Sequence, residues 1–81
     1  MFNMILIVGI KMESQALNNL GQIIREKREA LGLTQIEVAE KAGLDRNYIG
    51  MVERGERNPS YLSLIKIASG LNMSVDQLIK P

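Results

Sequence analysis

The chain has 81 residues, carries a net charge of +1 at neutral pH and contains neither cysteine nor histidine. So short a chain holds one hydrophobic core, because natural domains rarely divide below about 100 residues. The two missing residue types remove disulfides, thiolate metal sites, the commonest general base and a common nucleophile, so no catalytic role, metal or cofactor is expected.

Hydrophobic residues make up 46% of the chain but only two Tyr and one Phe are aromatic, so the core is aliphatic. The near-neutral balance is weaker than that of a protein held mainly by phosphate attraction. Composition alone does not point to nucleic acid.

Met1 to Lys11 is an apolar, β-branched run containing Phe2, Met4, Ile5, Leu6, Ile7, Val8 and Ile10. It is too short for the roughly 20 apolar residues of a membrane span and lacks a signal peptide's charged start and cleavage site, so the protein is expected in the cytoplasm. The run reads as a short extension, 1–11, on a globular part, 12–81. Three readings stay open: a strand packed across a dimer axis, a segment folded on its own domain, or a translated leader with Met12 as an alternative start. The first is preferred, because an exposed apolar strand invites edge pairing.

From Ser14 to Leu31, the residues Leu17, Leu20, Gly21, Ile24, Arg28 and Leu31 form one stripe at helical spacing. Thr34 and Glu37 have capping-box spacing, which starts a second helix that stops at Gly43. Asp45 caps a third ending at Gly55, Ser60 a fourth running to about Gly70, and Ser74 with Gln77 a fifth. Leu33/Val38, Leu44/Ile49 and Met73/Leu78 are spaced as hydrophobic staples, which favours short helices at defined crossings.

Two short helices joined through Gly43 and Leu44 meet the minimum geometry of a helix-turn-helix. On the third helix, Ile49 and Val52 face one way, while Arg46, Asn47, Gly50, Met51 and Arg54 face the other. Arg can pair with guanine O6 and N7, Asn with adenine N6 and N7, and Met51 can touch a thymine methyl, while Gly50 lets the backbone approach. An ordinary solvated face has the same composition, and spacing alone does not separate the two.

Arg28 lies on the buried stripe of the first helix, where a charge calls for a carboxylate partner. Glu53, at the inward edge of the third helix, is the candidate. The alternative is that Arg28 lays its stem over the core and reaches water.

Thr34-Gln35, Val38-Ala39, Gly43, Ile49, Glu53-Arg54-Gly55, Asn58-Pro59-Ser60 and Ile67-Ala68 together resemble the Cro/CI-type helix-turn-helix family, over roughly Leu20 to Ile79. The resemblance implies an all-α, five-helix, lambda-repressor-like fold that binds double-stranded DNA as a homodimer on a near-palindromic site. It implies DNA contacts at Gln35, Arg46, Asn47 and Met51 and a buried Arg28–Glu53 pair. The segments Leu44 to Ile49 and Val52 to Ser60 further resemble controller proteins of restriction-modification systems, with Gly50 and Met51 departing from the family's pattern.

On this reading Arg46, Asn47, Gly50 and Met51 read bases. Gln35, Arg54, Arg57, Asn58 and Ser60 hold phosphates, two of them at helix starts whose free N–H groups attract anions without much net basic charge. The dimer has two candidate surfaces, the apolar residues Ile65, Met73 and Ile79 of the fourth and fifth helices, favoured by the family, and the N-terminal run. No small-molecule ligand and no membrane are expected. An antitoxin that masks a partner protein while binding its own promoter is the alternative function. Enzyme chemistry is not favoured, because Glu26/Glu29 and Glu37/Glu40 sit beside Arg25 and Lys41 at surface ion-pair spacing.

Overall fold

The computed structural model describes residues 4–80. Five α-helices follow in order: α1 (Met4–Ala30), α2 (Gln35–Ala42), α3 (Arg46–Glu53), α4 (Tyr61–Gly70) and α5 (Val75–Ile79). No strand occurs among the described residues.

The expected caps form. Thr34 Oγ1 accepts from the Glu37 N–H at 3.1 Å and Glu37 Oε1 accepts from the Thr34 N–H at 3.0 Å, a complete capping box. Ser74 and Gln77 repeat it on α5, while the side chains of Asp45 and Ser60 accept from the amides of Asn47 and Ser63. At the other ends, four reversals share one device, a left-handed residue at Gly32, Gly43, Gly55 or Asn72. After α2, Gly43 has φ +70° and the Leu44 N–H donates back to the Ala39 carbonyl at 2.9 Å. An L-side chain at Gly43 would strain this turn.

The first helix departs from expectation. It has 27 residues and runs unbroken through the apolar segment from Met4, so the described part of that run is helix and not strand. Between Lys11 and Ser14 no proline or turn residue stops the backbone ladder, and β-branched residues cost a helix only a few tenths of a kcal/mol each. Met1 and Phe2 lie outside the described residues. Leu31, expected on the buried stripe, lies past the end of α1 and is 47% exposed.

Ile24, Val38, Ala39, Ile49, Val52, Ile67, Ala68, Leu71 and Leu78 form the core, with Leu33, Leu44 and Met73 packed against it. Each fully buried Ile, Leu or Val among them contributes roughly 1.5–3 kcal/mol of transfer free energy. The core lies where α2 packs on α4 and α3 packs on both α1 and α2, with α5 closing against α1 and α4. At five residues α5 is too short to stand alone, and Leu78, fully buried, anchors it.

Candidate nucleic-acid interface

The α2–α3 unit is fixed to α1 by one buried ion pair. Arg28 Nε donates to Glu53 Oε2 at 2.7 Å and Nη2 to Oε1 at 3.0 Å, while Nη1 donates to the Leu33 carbonyl at 2.9 Å. The side chains are 13% and 3% exposed, so the alternative in which Arg28 reaches water is excluded. The hydrogen bond to Glu53 holds the guanidinium more firmly protonated than usual, against the opposing effect of burial. Gln35 Nε2 adds a third donor to Glu53 Oε1, at 3.0 Å, and among the described residues no buried side-chain N or O lacks a partner.

Gly21 makes this docking feasible. A Cβ there would collide with the carbonyl oxygens of Val52 and Glu53, so the α1–α3 crossing requires its absence. Sequence reasoning set Gly21 on the stripe but gave it no role. A glycine inside an amphipathic stripe is the signal that could have found it. Gly55 is similar, with φ +75° and no room for a Cβ beside Asn18.

With Ile49 and Val52 buried inward, α3 turns Arg46 and Asn47 to solvent. Asp45 Oδ1 accepts from the Asn47 N–H at 2.7 Å, which sets the start of that exposed turn. Met51 is half-buried, and its sulfur lies 3.4 Å from Arg57 Nε. Gly50 is the exception to the expected outward face. It is buried because the Gln35 and Arg54 side chains lie across it, so it forms a floor and not an approach point for another backbone. Gln35, Arg46, Asn47, Gly50, Met51 and Arg54 together line a notch of about 130 Å³.

The expected phosphate group is spread around this notch. Arg54 is exposed, with Nε 2.6 Å and Nη2 3.3 Å from the Glu56 carboxylate. That contact holds Glu56 ionised to lower pH than usual. Arg57 and Asn58 are exposed in the loop before α4, and Ser60 caps α4 with its Oγ, 3.1 Å from the Ser63 N–H. Gln35 is committed to Glu53, a bond between residues 18 apart that no local spacing announces.

Comparison with known proteins agrees with this architecture. The helix-turn-helix family model matches residues 24–78. The control protein C.SmaI of Serratia marcescens is 45% identical over 60 residues, covering 74% of this chain and 71% of that protein. The transcriptional regulator SinR of Bacillus subtilis is 38% identical over 61 residues, covering 74% of this chain and 55% of SinR. Among solved structures, the restriction-modification controller protein C.AhdI of Aeromonas hydrophila superposes with a TM-score of 0.78 at 43% identity, over 80% of this chain and 98% of that one. The chain belongs to the helix-turn-helix family, as its resemblance to the Cro/CI type implied.

Proposed function

We propose that the chain is a sequence-specific, double-stranded-DNA-binding transcriptional regulator that acts as a homodimer on a near-palindromic operator and controls restriction-modification genes. The observation that carries this reading is the exposed Arg46–Asn47 turn of α3, held in register by the buried Arg28–Glu53 pair. Arg46 and Asn47 read base edges. Arg54, Arg57, Asn58 and Ser60, with the first-turn amides of α2 and α4, hold the flanking phosphates. Met51 supplies an apolar contact beside them. The likeness to C.SmaI and C.AhdI supports the restriction-modification role. The antitoxin alternative is not favoured, because these relatives are control proteins and transcriptional regulators.

The dimer forms through α4 and α5, where Tyr61, Leu62, Ile65 and Ile79 leave apolar surface exposed. A second copy there sets two α3 helices about 34–36 Å apart, one turn of the duplex. The stretch 1–11 serves as an apolar N-terminal extension of the globular part, 12–81, with which its described residues share one continuous helix. The protein works in the cytoplasm without enzymatic activity. Among the described residues no helix is long and apolar enough to cross a membrane.

Selection from random duplexes, followed by measurement of the mass of the selected complex, tests this. Enrichment of a two-fold symmetric sequence bound by two chains is expected. Absence of enrichment contradicts the reading.

A further inference from the structure

Gln35 was expected to hold a phosphate, yet its amide is turned so that the oxygen faces the notch. A carboxylate can only accept hydrogen bonds, and Glu53 already receives two from Arg28, so Gln35 must direct Nε2 toward it, as it does at 3.0 Å. Oε1 is left on the notch side, 3.4 Å from the point a Cβ on Gly50 would occupy. Arg54 Nη1 lies 3.1 Å from that same point. Even a methyl group on the floor would therefore press on Arg54 and come into contact with Gln35. The notch holds about 130 Å³. That is somewhat less than the roughly 150 Å³ that takes a whole benzene ring, so the notch admits the edge of a base and not a full ring.

We propose that Gln35 is a specificity-determining residue, whose Oε1 accepts a hydrogen bond from an exocyclic base amino group in the major groove, adenine N6 or cytosine N4. A phosphate offers only acceptors, and guanine O6 and thymine O4 are acceptors too, so each meets the wrong atom at Oε1. The second N–H of Nε2 is free to complete the paired contact with adenine N7. The Arg28–Glu53 pair thereby does more than fasten α3 to α1. It fixes the direction in which an amide on α2 is presented.

This inference rests on the DNA-binding reading above, and the two are separable by experiment. A duplex selected by the wild-type protein is remade with each adenine in turn replaced by purine, which lacks the 6-amino group. Each cytosine is likewise replaced by 2-pyrimidinone, which lacks the 4-amino group. One replacement per half-site should weaken wild-type binding about tenfold and leave the affinity of Gln35→Ala unchanged. If Gln35→Ala instead weakens every duplex evenly, or if every replacement costs it as much as the wild type, the side chain is a phosphate ligand and the inference falls. A wild-type protein insensitive to every replacement overturns it equally, whatever the variant does. Failure of the wild type to select any sequence removes the regulator reading and the inference with it.

Discussion

Glu53 joins two other helices through one carboxylate, receiving Arg28 of α1 through two hydrogen bonds and Gln35 of α2 through a third, which shares Oε1 with Arg28 Nη2. Its side chain, 3% exposed, is the buried polar tie between the α2–α3 unit and α1.

Removing one partner of such a pair leaves an uncompensated buried charge. Glu53→Ala is expected to cost about 3–5 kcal/mol of stability, as is Arg28→Ala, while replacing both with apolar residues of similar volume recovers most of the loss. Urea denaturation of the two single variants and the double variant measures this. Additive losses in the double variant would show that the charges do not act as a pair.

Gly21 tests the helix crossing without altering any charge. Gly21→Ala normally favours a helix, by about 1 kcal/mol. Here the added methyl meets the Val52 and Glu53 carbonyls, and a net loss of about 1–3 kcal/mol is expected from the forced separation of α1 and α3. A thermal melt above that of the wild type would show that α3 can shift freely. The same variant should lose DNA affinity, because α3 moves relative to the start of α2.

The start of α2 carries a pH dependence. Hydrogen bonds from the Thr34 backbone and side chain hold the Glu37 carboxyl below its ordinary value of about 4.5. Its folded value is therefore lower than its unfolded one. The stabilisation is complete above the unfolded value and is lost as the pH falls through the folded one. Denaturation midpoints followed down from neutral pH should decline below about 4.5, and less steeply in Glu37→Gln. Parallel declines in the two proteins would rule out Glu37 as the source.

Much of this was legible in the sequence because caps are local chemistry. Thr34 with Glu37, Asp45, Ser60 and Ser74 with Gln77 each declare a helix start within four residues, and each formed. The Arg28–Glu53 pair was legible for a different reason, since a charge on a buried stripe demands a partner and few carboxylates lie inward. Three features were not. The helical state of Met4 to Ile10 was misread because a β-branched run carries no period that separates helix from strand, and continuity with the helix that follows decides it. The burial of Gly50 depends on where the Gln35 and Arg54 side chains fall, which helical wheels do not contain. The Gln35–Glu53 bond likewise depends on the angle between α2 and α3, set by tertiary packing.

Recognition divides between α3, which reads bases, and the loop after it, which holds the backbone. The most direct test compares Arg46→Ala and Arg57→Ala for affinity to a selected operator and to scrambled DNA across a range of salt. Arg46→Ala is expected to cost about 1–3 kcal/mol on the operator and little on scrambled DNA, while Arg57→Ala weakens both alike and lowers the salt slope by about 1. Equal losses from the two variants on both DNAs would contradict the division of roles on which the account rests.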